Sequence, residues 1–254
     1  MNSNRLDLTT LKTLEKGWRK LKRLHPVSID LDRVKLIREK NLEYLSSADN
    51  IKSLILELGL NDDGLQEFPE SLHSYCGHGL RIWQYPIQFS KYLADLAKIK
   101  ITSYLEVGIR HGGTFVTTVE YLEKFHPLEF AVGIDILPCS SMAEYKKINP
   151  KVDFFKLNTQ SKQFQEFLDE YQKFDLVLID ANHEEVECRN EFMSVKDKAN
   201  IVVFHDILNI DFPDVEIVWN EVKLLPEYTC YEYIDQYEGL GPYMGIGMAI
   251  KKDR

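Results

Sequence analysis

Between residues 101 and 225 the chain alternates short apolar runs with longer segments of helical periodicity. The apolar runs are rich in Val, Ile, Leu and Phe, which is typical of strands that are buried on both faces of a parallel sheet. Strands that alternate with helices predict right-handed crossover connections and a doubly wound, mostly parallel α/β sheet. The five runs are residues 101–107, 130–136, 152–157, 174–179 and 201–204.

Two later apolar runs, residues 230–234 and 245–251, have no helical segment between them. They are therefore predicted to pair as an antiparallel hairpin at the edge of the sheet. Together with the five parallel strands they make a Rossmann-like sheet of seven strands. Helices are predicted at residues 86–98, 114–122, 163–171, 184–195 and 214–225.

The N-terminal part of the chain carries amphipathic helical patterns without strands. A first helix is predicted to end at about His25, because Pro26 follows it. A second helix is predicted from the cap residue Asp30 through Leu45, and a third covers residues 51–58. Such helices must bury their apolar faces on the main domain or on another subunit, so they would suit a homodimer or higher homo-oligomer.

Residues 59–80 are irregular and contain several glycines. The tract 71–85 combines two His, two Tyr and one Trp, which is the composition of a loop that covers a site or of a packed linker. We therefore predict an N-terminal helical extension with a lid-like loop, residues 1–80, and a main domain, residues 81–254.

Composition excludes several classes of protein. A formal charge of −9 argues against a nucleic-acid binder, because phosphate contacts need clustered Lys and Arg. No apolar run approaches 18 residues and no secretory signal is present, so neither membrane insertion nor secretion is expected. The four cysteines are far apart and form no C-x-x-C pair. A cytoplasmic protein with reduced thiols is the expectation.

A loop with three glycines, at 108, 112 and 113, follows the first strand and precedes a helix. This arrangement brings backbone N–H groups against nucleotide-like ligands, although glycines after a strand can also mark only a tight turn. The spacing matches neither G-x-G-x-x-G nor a P-loop. The carboxylate before the turn, Glu106, argues against a phosphate and for a cationic or hydroxyl-rich ligand.

Polar residues follow each of the five predicted parallel strands. In open α/β sheets the carboxyl ends of the strands form the ligand site near the point where strand order reverses. Asp135 at the second strand is suited to bind both hydroxyls of a ribose, and the amide and hydroxyl groups of residues 158–161 could contact an adenine edge. The complete series is Glu106, Asp135, Asn158-Thr159-Gln160-Ser161, Asp180 with Asn182 and His183, and His205-Asp206.

The motifs YLEVGIRHGG, GID, FDLVLIDANH and IVVFHD, taken in this order, resemble the class I S-adenosylmethionine (SAM)-dependent methyltransferases. The resemblance extends over about residues 80–250. It is greatest to the branch that contains rhamnosyl and macrolide-sugar O-methyltransferases and cephalosporin-hydroxylase-like proteins. The QYP segment at residues 84–86 is also similar to that branch.

The resemblance implies a cofactor site. Glu106 would face the methionine ammonium, residues 108–114 would wrap its carboxylate end, and Asp135 would hold the ribose. Residues 158–160 would lie near the adenine. The implied cofactor-binding set is Gln84, Glu106, Gly108, Arg110, His111, Gly113, Thr114, Asp135, Ile136, Asn158, Thr159, Gln160 and Asp180.

The resemblance also implies a metal site and a general base. In metal-dependent members an aspartate after strand four and an acidic pair after strand five bind Mg²⁺, which by position are Asp180 and His205-Asp206. The histidine three residues past the first aspartate, His183, would be the base, with Asp180 beside it. His205 stands where relatives carry a carboxylate, and imidazole suits softer metals than Mg²⁺. A softer metal, Mg²⁺ on Asp180 and Asp206, or no metal remain open, and a weak Mg²⁺-type site is favoured.

The sequence therefore predicts an O-methyltransferase for a small polar acceptor. The family likeness favours a sugar hydroxyl in surface-polysaccharide or natural-product assembly, and a phosphate-bearing capsule precursor is an alternative. A non-catalytic relative that binds the cofactor is a second alternative. An NAD-dependent oxidoreductase fits the glycine spacing badly, and a hydrolase lacks H-E-x-x-H at His183.

Overall fold

The computed structural model describes residues 27–171 and 173–252, so the predicted helix that ends near His25 lies outside it. The described chain forms one seven-stranded sheet with the order β3-β2-β1-β4-β5-β7-β6. The strands are β1 Ser103–Val107, β2 Phe130–Asp135, β3 Val152–Lys156, β4 Phe174–Ile179, β5 Ala199–His205, β6 Tyr228–Tyr233 and β7 Ile246–Lys251.

The predicted topology is confirmed. Strands β1 to β5 are parallel, and β7 is antiparallel to both β5 and β6. The predicted hairpin lies at the sheet edge, with β7 inserted between β5 and β6. The chain proceeds from β1 outward to β3 and then returns to β4 on the other side of β1. Strand order therefore reverses between β1 and β4, where a ligand site is expected.

Nine α-helices surround the sheet within the described residues, and each predicted helix of the main domain is present. They are α1 Val34–Arg38, α2 Leu42–Leu45, α3 Ala48–Leu58, α4 Pro86–Leu96, α5 Gly113–Phe125, α6 Met142–Ile148, α7 Lys162–Glu170, α8 Glu185–Val195 and α9 Pro213–Lys223. Three short 3₁₀ turns, Leu31–Arg33, Leu65–Glu67 and Glu70–Tyr75, lie before α4.

Two local predictions were wrong. The segment from Asp30 to Leu45 is not one helix, because the Asn41 side chain accepts a hydrogen bond from Tyr44 N at 2.8 Å and starts α2 as a separate helix. Helix α6 was not predicted between the second and third strands. Its two buried residues, Met142 and Tyr145, are three positions apart, which is too short a pattern to stand out in the sequence.

The sheet is buried on both faces. Helices α7, α8 and α9 pack on one face through side chains such as Phe167, Phe192 and Trp219. The other face is covered by α1 to α6, and its apolar core is continuous from Ile29 to Met248. The N-terminal helices therefore share their core with the sheet, while a domain boundary at residue 80 stays a prediction.

Residues 59–84, called the N-terminal segment below, run across the carboxyl edge of the sheet. Leu60 forms isolated bridges with Cys76 and Ile82. The backbone of this segment crosses itself closely, because a Cβ on Gly79 would lie 2.0 Å from Leu58 O. Within residues 27–171 and 173–252, no helix is long and apolar enough to cross a membrane.

Candidate functional site

A cavity of about 520 Å³ lies at the carboxyl ends of β1, β2, β4 and β5, where strand order reverses. Its volume is within the usual range for small-molecule sites. Most of the residues predicted from the sequence line this one cavity. These are Glu106, Gly108, Arg110, His111, Gly113, Thr114, Asp135, Ile136, Asn158, Thr159, Asp180, His183, His205 and Asp206.

Glu106 is the most deeply buried of these carboxylates, with 1% of its surface exposed. Burial raises its pKa to about 8, although the Tyr104 hydroxyl donates a hydrogen bond to it. No Lys or Arg of the described chain pairs with it. A buried carboxylate without a cationic partner fits a ligand that brings its own ammonium group.

Asp135 accepts hydrogen bonds from the backbone N–H groups of Arg110 and Leu137, each at 2.7 Å. Burial raises the pKa of Asp135, and the two backbone hydrogen bonds oppose that shift. Each carboxylate oxygen keeps a further acceptor position, so two ligand hydroxyls could still bind. Ile136 is 59% exposed beside Asp135 and lines the cavity, where it offers apolar surface to a flat ring.

Two predicted residues do not line the cavity. The Gln160 side chain faces α8, since its Oε1 accepts from Asn190 Nδ2 at 3.1 Å and its Nε2 donates to Glu187 O at 3.3 Å. Gln84 is buried, and neither polar atom of its side chain has a hydrogen-bond partner in the described chain. A contact of either residue with a cofactor stays a prediction.

The three glycines after β1 make room for close contacts with other parts of the protein. A Cβ on Gly108 would lie 2.0 Å from Asp180 O, and a Cβ on Gly113 would lie 2.0 Å from Leu80 O. A Cβ on Gly112 would lie 2.6 Å from the Met142 side chain. An approach of a ligand to this loop stays a prediction, and Gly108 and Gly113 both line the cavity. The glycines allow the loop to pack closely against the end of β4, α6 and the N-terminal segment. Helix α5 then begins at the cavity wall, where Gly113 and Thr114 line the cavity.

Asp63 joins the N-terminal segment to the glycine loop. Its Oδ2 accepts from Arg110 Nη2 at 2.8 Å and lies 3.0 Å from His111 Nε2. Burial alone would raise the Asp63 pKa, but the hydrogen bonds from His111 and Arg110 lower it to about 2. The ionised carboxylate thus holds two cavity residues in place.

We expect Asp63→Asn to lower the free energy of unfolding by about 2 kcal/mol near neutral pH, the scale of hydrogen bonds to a charged group. The folded-state pKa is below the ordinary value, so this stability is present above about pH 4 and is lost as the pH falls toward about 2. Urea unfolding at a series of pH values measures it, with Asp49→Asn as the exposed control. A penalty that is equal at every pH would contradict this role.

Four side chains at the ends of β4 and β5 form a cluster of two carboxylates and two imidazoles. His205 Nδ1 lies 3.1 Å from Asp180 Oδ1 and 3.5 Å from Asp206 Oδ2. His183 Nε2 lies 2.9 Å from Asp206 Oδ2, without the angles of a hydrogen bond, and 3.6 Å from Asp180 Oδ1. Asp206 has a left-handed backbone (φ 62°), a strained conformation that is often found at functional sites.

The carboxylates change the protonation of the histidines. Burial lowers the pKa of His183, but Asp180 and Asp206 outweigh burial and raise it to about 9. His205 is shifted upward by the same carboxylates, and its pKa is well above the ordinary value. An imidazole that is already protonated at neutral pH cannot accept a proton. His183 could therefore act as a base only where another cation offsets the two carboxylates.

The cluster also fits a divalent cation. One ligand atom each from Asp180, His205 and Asp206 lies within 4.8 Å of the others. The carboxylate oxygens suit Mg²⁺ or Mn²⁺, and the imidazole nitrogen suits a softer first-row metal. His205 Nε2 is buried and has no hydrogen-bond partner in the described chain.

Several cavity residues were missed by the sequence analysis. Phe212 stacks on His183 with ring centroids 4.3 Å apart, and it lies in a loop that gave no periodic signal. The N-terminal segment supplies Asn61, Glu67, Arg81 and Trp83. Only the last two fall within the aromatic tract at residues 71–85 that the sequence suggested as a cover for the site.

Solved structures with a similar architecture include several methyltransferases. An O-methyltransferase from Bacillus cereus in complex with SAH superposes with a TM-score of 0.50 at 13% identity, over 84% of this chain and 93% of that one. A protein from Klebsiella pneumoniae assigned as an O-methyltransferase gives 0.50 at 15% identity, over 95% and 97%. An rRNA methylase from Streptococcus thermophilus gives 0.50 at 10% identity, over 65% and 97%.

No protein-family model matches the chain, and no curated protein matches it in sequence. At these low identities the structural likeness establishes the fold alone. The protein has the Rossmann-like fold of the class I SAM-dependent methyltransferases, which confirms the fold that the sequence predicted.

Proposed function

We propose that this protein is an O-methyltransferase that moves the methyl group of SAM to a hydroxyl oxygen of a small polar acceptor. One observation carries the proposal. Glu106, Asp135 and the cluster of Asp180, His183, His205 and Asp206 line a single cavity at the point where strand order reverses. The first two fit the ammonium and ribose of the cofactor, and the cluster fits the activation of an acceptor oxygen.

The cofactor supplies an activated methyl group on a sulfonium. The protein therefore needs to bind the cofactor and the acceptor, orient them for transfer and exclude water. Glu106 would pair with the methionine ammonium, and the N-terminal end of α5 at Gly113 and Thr114 would face its carboxylate. Asp135 would hold the ribose hydroxyls. Ile136 would pack on the adenine, with Asn158 and Thr159 at its edge.

The acceptor hydroxyl is a poor nucleophile until its proton is removed. Asp180, His205 and Asp206 would hold a divalent cation, which would lower the pKa of an acceptor oxygen bound to it. His183, beside both carboxylates, would then be the base that receives the proton. A cation in the cluster and protons on the two histidines offset the same pair of carboxylates, so they are alternatives.

The class of acceptor is inferred from the chain rather than from the fold, because the fold is shared with an rRNA methylase. The formal charge of −9 disfavours an RNA substrate. A sugar hydroxyl, in surface-polysaccharide or natural-product assembly, is the acceptor that we favour. A cytoplasmic location fits this role.

Calorimetric titration with SAM, S-adenosylhomocysteine (SAH) and NAD tests the cofactor assignment. We expect SAM and SAH to bind in the micromolar range and NAD not to bind. Release of SAH across a panel of sugar acceptors then tests methyl transfer, and pretreatment with EDTA followed by Mg²⁺, Mn²⁺ or Zn²⁺ tests the metal. Binding of NAD without SAM would contradict the proposal, and SAM binding without turnover on any acceptor would indicate a non-catalytic relative.

A further inference from the structure

We propose that the N-terminal segment forms the acceptor wall of the cavity, and that Glu67 on this wall selects an acceptor that carries hydroxyl or amino groups and no phosphate or carboxylate. This inference rests on the proposed methyl transfer, because it names the class of molecule that would share the cavity with the cofactor. It concerns a residue to which the sequence analysis gave no role.

Glu67 lies at the end of the 3₁₀ turn Leu65–Glu67 and lines the cavity with only 5% of its surface exposed. Its Oε2 accepts a hydrogen bond from Trp83 Nε1 at 2.9 Å. Its Oε1 makes no hydrogen bond to any residue in the part of the chain that the structure describes. A Cβ on Gly64 would lie 2.8 Å from the carboxyl group, so the carboxyl packs directly on that glycine. One oxygen of a well-held carboxyl group is therefore available to a ligand.

Glu67 lies on the acceptor side of the cavity. The charged groups that act on it are Asp206, His205 and Asp211, which belong to β5 or to the loop after it. The residues that fit the nucleoside follow β2 and β3, and these strands lie on the other side of β1. Burial raises the Glu67 pKa to about 7, so its carboxyl group can accept or donate a hydrogen bond near neutral pH. Hydroxyl groups can pair with both forms.

The charges around the cavity disfavour an anionic acceptor. Among the described lining residues only Arg81 and Arg110 carry a guanidinium group, and each already pairs with an aspartate of the N-terminal segment, Asp62 or Asp63. The Arg81 Nη2 also donates to Gly77 O at 2.7 Å. A phosphate near the methyl would thus approach the Glu67 carboxyl group, whose hydrogen-bond partner is the uncharged Trp83 indole. Like charges placed together in an interface are strongly unfavourable.

The same wall fits a sugar or an amino sugar. Trp83 on this wall and Phe212 in the loop after β5 both line the cavity, and aromatic rings offer apolar surface to the C–H faces of a pyranose. Glu67 Oε1 would accept from a hydroxyl or ammonium group of that ring. The phosphate-bearing precursor that the sequence left open is the class of acceptor that this wall would reject.

Three probes with one carbon skeleton test the inference: methyl glucoside, glucosamine and glucose 6-phosphate. Their binding to the SAH-loaded full chain is measured by ligand-observed NMR, for the wild type, Glu67→Gln and the exposed control Glu70→Gln. We expect millimolar binding of the first two probes, and binding of glucose 6-phosphate that is at least about tenfold weaker. Glu67→Gln should weaken glucosamine binding about tenfold and reduce the discrimination against the phosphate to below about threefold, while Glu70→Gln matches the wild type.

Equal binding of glucose 6-phosphate and glucosamine would overturn the inference, as would unchanged binding by Glu67→Gln. It would also be overturned if neither neutral nor aminated probe binds at about 50 mM, well above the millimolar range. If Glu67→Gln does not fold, Glu67→Asp replaces it, and this variant should keep the discrimination against phosphate. Failure of the proposed function is distinguishable, because either SAH would not bind in the first step or the acceptor panel would show no release of SAH from SAM.

Discussion

Replacing Asp180 with asparagine should lower the rate of methyl transfer about a thousandfold, within the usual range for loss of one member of an acid–base pair. The carboxylate lies 3.1 Å from His205 Nδ1 and 3.6 Å from His183 Nε2, so its removal would disturb both the proposed metal ligands and the proposed base. The rate is measured as SAH release with the acceptor that the panel identifies.

The cofactor should still bind to this variant, with a dissociation constant for SAH within about threefold of the wild type, because in the proposed site Glu106 and Asp135 supply the main polar contacts. Asp197→Asn is the matched surface control, since that side chain is 83% exposed. A variant that keeps wild-type turnover would remove Asp180 from the chemistry. If the variant loses SAH binding as well, Asp180 acts on cofactor binding rather than on the chemical step.

Glu106→Gln should raise the dissociation constant for SAH about a hundredfold, because an ammonium would then be buried without a counter-charge. The wild type should also release close to one proton on binding at pH 7. Its Glu106 has a pKa of about 8 in the ligand-free protein and must ionise to pair with the ammonium. Binding should consequently weaken as the pH falls below about 8.

Calorimetry in two buffers with different ionisation enthalpies measures the proton release. Glu106→Gln should show none, and Glu123→Gln, on the same side of the sheet but 23% exposed, should behave as the wild type. Equal affinity and equal proton release in Glu106→Gln and the wild type would show that the ammonium binds elsewhere.

The sequence predicted the fold and most of the site because both follow from local patterns. Each apolar run indicates where a parallel strand ends, and parallel strands bring their carboxyl ends to one edge of the sheet. Asp135, Asp180 and Asp206 could therefore be assigned to one site before their distances were known. Their chemistry could not, since the elevated pKa of His183 depends on its distances to two carboxylates in separate loops.

The residues that the sequence missed belong to segments without periodicity. Glu67 and Asn61 reach the cavity only because the N-terminal segment docks across the sheet edge, a contact between positions that are far apart in the chain. The glycines show the same limit, because the sequence reveals a glycine but not the distant residue that packs against it. Gly113 is visible in the sequence, but its close neighbour, Leu80 O, is not.

The close crossing of the N-terminal segment has a consequence for how such a protein could acquire new substrates. The backbones at Gly59 and Gly79 lie so close to neighbouring backbone atoms that neither position has space for a side chain. The backbone oxygen of Leu80 lies equally close to Gly113. Insertions or deletions between these points would shift the whole wall out of register with the sheet. Diversification, in nature or in the laboratory, should therefore proceed by point changes at positions such as 61, 67 and 83, on a backbone that keeps its length.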